Sequence, residues 1–469
     1  MYMKTLTAWF YSVLLTACTQ LPGGPSREIA SIDQNLARMS VEDIQQEMQQ
    51  KFLQIEYTTL SAYEGLGQFD EHLNQTPGLL EDNPHYPGLL AARIMIEELQ
   101  DEIIDLRDQF YLAALSPALS IEERLKSIDL LRATLPPTKT ELDKLIHNHL
   151  HQSLVDFTRQ ILMDLASVEE KVIRKSLENL YQQLGLVWGP LAPKDIMAIG
   201  DWREITQKAF ERNKTNPDWQ MARRNYEHRA HEMRTNLKTA FSNKNNKAFF
   251  PSATKAGNII GTEFPAKVWS LTYDDGPGAQ TSRKILSHLT LHKLKATFFQ
   301  LTRNAKTLKG VSKEIRDAGM EIASHSYTHQ QTPKLTQEQR DREIRVAALD
   351  LAELHEREIK FYRLPYGAGV STPDIRERIA KANLIHVFWS IDTLDWMAQA
   401  PSEIVARTLK QMKASKNDAG VILFHDIHER TVIASEEVMR YLKEDSRRVC
   451  LLDEIVEAIN KGEVPCPAQ

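Results

Sequence analysis

The stretch Val268-Trp269-Ser270-Leu271-Thr272-Tyr273, running straight into Asp274-Asp275-Gly276-Pro277, decides the fold of the C-terminal half. Its first six residues are apolar, aromatic or β-branched with little interruption, the pattern of a short buried strand. The run ends in two adjacent carboxylates and a Gly-Pro turn. Two carboxylates at a strand end cannot both be buried without compensation, and a cation on one of them relieves that cost. Successive side chains on extended backbone point to opposite sides, so one carboxylate is predicted to meet a metal while its neighbour faces another group.

Further short apolar runs follow: Ala296–Leu301, Met320–Ala323, Ile359–Arg363, His386–Ile391 and Val421–Phe424. Helical stretches lie between them, such as Gln337–Glu356, which opens on the capping pair Thr336 and Gln339. Strand–helix alternation predicts parallel strands, and this many units predict a closed or nearly closed barrel. The polar motifs all fall just after strands, at the face that holds the site in such barrels.

Four of those motifs carry the rest of the chemistry. Ser324-His325-Ser326-Tyr327-Thr328-His329 holds two imidazoles four apart, predicted to share one face of a helical turn. With Asp275 they make two nitrogens and one oxygen, a three-ligand set with a position left open for water. Such a metal makes water a nucleophile near neutral pH and leaves Asp274 free as the base. His147 and His151 have the same spacing but no third ligand nearby, and read as a polar helix face. In Arg363-Leu364-Pro365-Tyr366-Gly367, Arg363 offers a fixed cation for a carboxylate. Asp392-Thr393-Leu394-Asp395-Trp396 and Leu423-Phe424-His425-Asp426 complete the series. A His beside a carboxylate has its charged form favoured and can donate a proton, which suits His425. His428 reads as structural.

These five motifs, in this order, resemble those of the carbohydrate esterase family 4 polysaccharide deacetylases, the NodB homology domain. The resemblance covers roughly residues 265–460 and implies a distorted (β/α) barrel with a divalent metal, commonly zinc. It also implies hydrolysis of N-acetyl groups on sugars such as N-acetylglucosamine, or of O-acetyl groups on xylan. Carried across by motif, Asp274 is the base and Asp275, His325 and His329 are the metal ligands. Arg363 positions Asp274, and the Tyr366 main-chain N–H joins the metal at the oxyanion. His425 is the general acid and Asp395 its tuning partner. Pro365, Trp396 and Leu423 line the substrate pocket, and Asp392 is a candidate support for Arg363. Tyr273 stands where the family usually has Phe.

Upstream, residues 27–240 read as a helical domain, a bundle or hairpin of long helices. Ser40 and Ser120 precede acidic first turns as caps. Ile161, Leu165, Val168, Val172, Ile173, Leu177, Leu180 and Leu184 predict one long helix over 154–184. Ile96, Leu99, Ile103, Leu106 and Phe110 form a similar stripe. The Asn-, Lys- and Ser-rich region of 242–262 is predicted as a linker before the 265–460 domain. Arg203 to Lys255 carries 12 Lys/Arg against 5 Asp/Glu, a solvated face or a surface for anionic polymer.

The N-terminus reads as a secretory signal: Lys4, then an apolar run from Leu6 to Leu15, too short to span a membrane. It ends in Leu15-Thr16-Ala17-Cys18, which resembles the bacterial lipoprotein box. That resemblance implies a signal over 1–18, lipid on Cys18, export and membrane anchoring, at the outer membrane where there are two. An anchored exported chain meets peptidoglycan first, which makes its N-acetylglucosamine the expected substrate, ahead of poly-N-acetylglucosamine and chitin oligomers. Other expectations are a glycan-binding or scaffold lipoprotein with little catalysis, and a protein partner for the helices. Cys450 and Cys466 are open to a disulfide or to two free thiols. The 469 residues carry a formal charge of −5, which gives no reason to expect nucleic acid as a partner.

Overall fold

The computed structural model describes residues 39–78, 80–136, 149–187, 202–242, 258–397 and 399–467. The signal segment, Cys18, His147 and most of the expected linker lie outside the described residues. Among the described residues seven α-helices lead: α1 (Val41–Gln75), α2 (Tyr86–Leu115), α3 (Ile121–Ala133), α4 (His149–Asp164), α5 (Lys171–Val187), α6 (Trp202–Asn213) and α7 (Pro217–Ser242). None of the described helices is long and apolar enough to cross a membrane.

By contact the chain forms two compact units that do not follow linear order. The described residues of the first come from within 39–57, 95–187 and 215–222. Those of the second come from within 58–94, 202–214 and 223–467. A single helical domain over 27–240 was the expectation from sequence. Residues 58–94 belong instead to the same unit as the C-terminal sheet, for a reason given by their side-chain partners below.

The first unit is helical, and its core collects Ile44, Met48, Ile55, Ile103, Phe110, Ile128, Leu131, Ile161, Leu177 and Leu180. Each such side chain contributes about 1.5–3 kcal/mol on full burial. Ser120 and Glu123 form the expected capping box, and Ser40 accepts from the Asp43 N–H. The single long helix predicted over 154–184 is a hairpin of α4 and α5. A 3₁₀ turn over Leu165–Ser167 and an extended Val168 separate the arms. Arg174 closes the bend by donating from Nε to the Val168 carbonyl at 2.8 Å. The apolar stripe is thereby folded onto itself, with Ile161 and Ile173 both buried, while Val172 is left half exposed.

The sheet belongs to the second unit. Its strands are β1 (Asn258–Ile259), β2 (Val268–Asp274), β3 (Thr297–Gln300), β4 (Glu321–Ser324) and β5 (Phe361–Tyr362), then β6 (Ile385–Val387), β7 (Ile391–Asp392), β8 (Gly420–His425) and β9 (Arg448–Val449). Their order is β1-β6-β5-β4-β3-β2-β8-β7, with β9 on β2, and every pairing is parallel. All seven residues of β2 are buried, as both-face coverage of a parallel strand requires. Tyr273 stacks on Phe298 and Phe424, its register partners on β3 and β8.

The expected strand His386–Ile391 is two strands. β6 pairs near one end of the sheet and β7 at the other, yet only Phe388, Trp389 and Ser390 separate them. Four residue steps span at most about 14 Å, so the sheet must curl until its ends nearly meet. The distorted barrel is therefore nearly closed, with a seam at residues 388–390. Cys450 and Cys466 are bridged, their Cα atoms 5.8 Å apart, which ties the C-terminal tail to the strand beside β2.

Candidate active site

Each motif follows a strand, so the parallel sheet delivers all of them to one end. Asp274 closes β2, and its neighbour Asp275 has a φ of 72°. That left-handed turn cancels the strand alternation expected from sequence. Both carboxylates flank the same imidazole: His325 Nε2 is 3.6 Å from Asp274 Oδ2 and 3.4 Å from Asp275 Oδ1. Gly276 is required here because a Cβ would collide with the Asp426 carboxylate. Asn304 Nδ2 donates to the Asp275 carbonyl at 2.8 Å and fixes the turn.

His325 and His329 are not on a helical turn. Residues 325–331 form an irregular loop, with Ser326 and His329 at positive φ. The imidazoles still converge, their centroids 5.0 Å apart. The loop is held by buried Glu343, in a π-helical turn over Arg342–Val346, which accepts from the N–H groups of Tyr327 and Thr328 at 2.8 and 2.9 Å.

Asp275, His325 and His329 present ligand atoms within 4.8 Å of one another. His329 Nε2 lies 3.1 Å from Asp275 Oδ1, a buried oxygen that accepts no hydrogen bond among the described residues. His325 Nδ1 donates to the Arg363 carbonyl at 2.9 Å, which leaves the lone pair on Nε2. His329 Nδ1 is 3.1 Å from the Tyr366 hydroxyl. Outer partners on Nδ1 with Nε2 turned inward are the arrangement of metal-binding histidines, so these residues fit a divalent cation. Burial pushes the Asp275 carboxyl up, but the facing imidazoles, His329 first, and the Arg93 charge hold it well below the usual carboxylate range.

Arg363 is fully buried and donates to Asp274 Oδ1 at 2.6 Å, to Thr272 Oγ1, and to the carbonyls of Val387 and Phe388 across the barrel seam. Asp392, expected to support it, does so by its charge and without a hydrogen bond. Its Oδ1 accepts from the Leu394 N–H and its Oδ2 from the Tyr86 hydroxyl. His425 Nδ1 and Asp395 Oδ1 are 2.6 Å apart, and Asp395 Oδ2 accepts from the His425 N–H at 2.9 Å. Burial and Arg93 push the His425 imidazole down, but the charge and hydrogen bond of Asp395 outweigh them and raise it. Its Nε2 lies 3.9 Å from Asp275 Oδ2. Pro365, Tyr366, Trp396 and Leu423 are all buried. The half-buried His428 stands beside His425, their ring centroids 6.3 Å apart, and desolvation lowers its pKa well below the ordinary value.

Sequence reading missed Tyr86 and Arg93, both on α2. Arg93 reaches His425 Nε2 at 2.7 Å and Asp275 Oδ2 at 3.0 Å. The signal available was an arginine inside the apolar run Leu89-Leu90-Ala91-Ala92-Arg93-Ile94, where a charge has to be paired. These contacts, with the two-pronged ion pair between Asp70 and Arg407, join residues 58–94 to the barrel.

Comparison with known proteins gives the same assignment. The family profile described as polysaccharide deacetylase matches residues 261–386. That span ends before Asp395 and His425, which rest on their geometry. The chain is 28% identical over 214 residues to the peptidoglycan-N-acetylglucosamine deacetylase of Listeria monocytogenes, 45% of this chain and 43% of that protein. It therefore spans less than half the length of that relative. It is 31% identical over 158 residues to the chitooligosaccharide deacetylase of Sinorhizobium fredii, 33% of this chain and 70% of that protein. A solved peptidoglycan N-acetylglucosamine deacetylase superposes with a TM-score of 0.41 at 27% identity, covering 46% of this chain and 96% of that one. With ordered motifs gathered at one end of a parallel barrel, and most of a relative above 30% identity covered, the chain belongs to the polysaccharide deacetylase family.

Proposed function

We propose that this chain hydrolyses the N-acetyl groups of N-acetylglucosamine residues in peptidoglycan, using a divalent metal for which zinc is the first candidate. One observation carries the reading. Asp274 is braced by Arg363, Asp275 faces two inward imidazole nitrogens, and a buried His–Asp pair stands 3.9 Å away. A divalent cation on Asp275, His325 and His329 would polarise the acetyl carbonyl and lower the pKa of water. Asp274 has Oδ1 committed to Arg363, so Oδ2 takes the proton as the water oxygen attacks the carbonyl carbon. The Tyr366 main-chain N–H is assigned to the oxyanion. His425, oriented through Nδ1 by Asp395, delivers a proton from Nε2 to the sugar nitrogen as the C–N bond breaks. Acetate and a free amine leave. Pro365, Trp396 and Leu423 are assigned to the wall around the acetyl methyl.

Peptidoglycan is favoured by the Listeria relative, whose name gives that substrate, and by the export that the N-terminal sequence suggests. The Sinorhizobium relative favours chitin oligomers as the second substrate. Anchoring through lipid on Cys18 is part of the same proposal; fatty-acid labelling that persists in Cys18→Ala would rule it out. The basic stretch 203–255 is assigned to the carboxylates of wall peptides, so wall binding should weaken with salt. For the chemistry, Asp274→Asn should lower acetate release about a thousandfold with the metal content unchanged. A variant that keeps its turnover would remove Asp274 as the base.

A further inference from the structure

We propose that the N-terminal end of α2 plugs this site: Arg93 occupies the place of the reacting N-acetyl group, and substrate enters only when that guanidinium withdraws. The inference rests on the deacetylase reading above.

Tyr86 and Arg93 are seven residues apart on α2, close to two turns, so they project from the same face. Both are spent on the catalytic end of the barrel. The Tyr86 hydroxyl donates to Asp392 Oδ2 at 2.8 Å and accepts from Trp389 Nε1 at 2.7 Å. Arg93 is 6% exposed and reaches His425 Nε2 and Asp275 Oδ2. Its guanidinium carbon lies 5.5 Å from the Tyr366 ring centroid and 5.8 Å from that of Trp396. Those are the residues assigned to the acid, the metal, the oxyanion and the methyl wall. A buried group bonded to the acid and to a metal ligand, and lying beside the Tyr366 and Trp396 rings, fills the space where the amide must lie.

Hydrogen-bond direction makes the conflict specific. Arginine has donors and no acceptor, so His425 Nε2 accepts from Arg93. Nδ1 is already engaged by Asp395, which leaves no ring nitrogen to protonate a leaving amine while Arg93 is docked. A guanidinium held by an imidazole and a carboxylate also resembles the amine product, which is cationic at neutral pH.

The plug is anchored from several sides. Tyr226 donates from its hydroxyl to the Gly88 carbonyl at 3.2 Å, and Asp70 pairs with Arg407 through both oxygens. The Tyr86 and Tyr226 contacts hold this end of α2, and the Asp70 pair holds α1, so withdrawal is a swing of the Arg93 side chain. An enzyme whose competent state is a fraction of the population shows an affinity reduced by that fraction, and removing the plug restores it.

The test compares the full chain with Arg93→Met, which keeps the aliphatic packing of the stem, and with Tyr86→Phe, which loosens the anchor. Acetate release from chitotetraose is measured at saturating Zn²⁺, and Zn²⁺ affinity by calorimetry on the stripped proteins. The proposal expects kcat/KM to rise about tenfold in Arg93→Met through a lower KM, and by less in Tyr86→Phe. It also expects Zn²⁺ to bind several-fold tighter to Arg93→Met, because Asp275 no longer shares its charge. Wild-type release with equal or slower turnover in Arg93→Met would overturn the plug and leave the deacetylase intact. No acetate from any of the proteins would defeat the deacetylase reading instead. The plug would then be decided by Zn²⁺: tighter binding supports it, and unchanged or weaker binding overturns it.

Discussion

Asp395 does two things for His425, and they can be separated. It holds the ring through Nδ1, and its charge raises the imidazole against the burial that lowers it. A raised acid keeps its proton to higher pH. In Asp395→Asn the alkaline limb of kcat/KM should move to lower pH, and the rate should fall about a hundredfold. An unmoved limb would mean that another group sets it. Arg363 carries the heavier structural charge. Burial lowers its pKa and Asp274 opposes that. Arg363→Met leaves the Asp274 carboxylate buried without its counter-charge, so denaturant melts should show a loss of about 3–5 kcal/mol. The residues Asp274, Asp275, His325, His329, Arg363 and His425 could be read from sequence because each sits in a short polar motif directly after an apolar run. Arg93 could not be tied to them. It lies 182 residues before Asp275 inside a helix, and nothing local says which distant carboxylate answers its charge.

Among the elements, the loop carrying His329 and the turn at Gly276 depend on buried acids: Glu343, which no motif announces, and Asp426, whose motif assigned it no role. Glu343 binds the loop through two N–H groups and the Thr328 hydroxyl. Glu343→Gln loses one of those acceptors and should weaken metal binding about tenfold, read by titration of the stripped protein. Asp426 is pushed up to about 7, first by burial and also by Asp275 and Asp274, against the hydrogen bond from Ser282. Its folded value lies above the unfolded one. Its contribution is therefore complete below about pH 4 and lost as pH rises through about 7, by up to about 4 kcal/mol. Metal-free wild type should lose melting temperature between about pH 4 and 7, and Asp426→Asn should lose less. The α4–α5 hairpin and the β6–β7 break were misread for one reason. Periodicity records which residues are apolar, and it does not record where a chain with suitable apolar residues on both sides bends back or changes partners. At the barrel seam the decision is made by Val387 and Phe388, whose carbonyls are taken by Arg363 from another strand.

For the whole molecule, linear order is a poor guide to the units. Residues 58–94 read as part of a helical domain from their pattern, yet they carry Asp70, Tyr86 and Arg93, whose partners are in the barrel. The Cys450–Cys466 bridge closes a separation of 16 residues at the end of the chain. On the chain-entropy account its removal in Cys450→Ser/Cys466→Ser costs about 3 kcal/mol, seen as a lower melting temperature with the site intact. The measurement that bears most directly on the central claim is acetate release from peptidoglycan by the protein lacking residues 1–18, before chelation, after chelation, and after Zn²⁺ is restored. Release that stops with the chelator and returns with the metal is the predicted result. Release that persists in the stripped protein, or none from acetylated glycans despite metal bound at Asp275, His325 and His329, would contradict it.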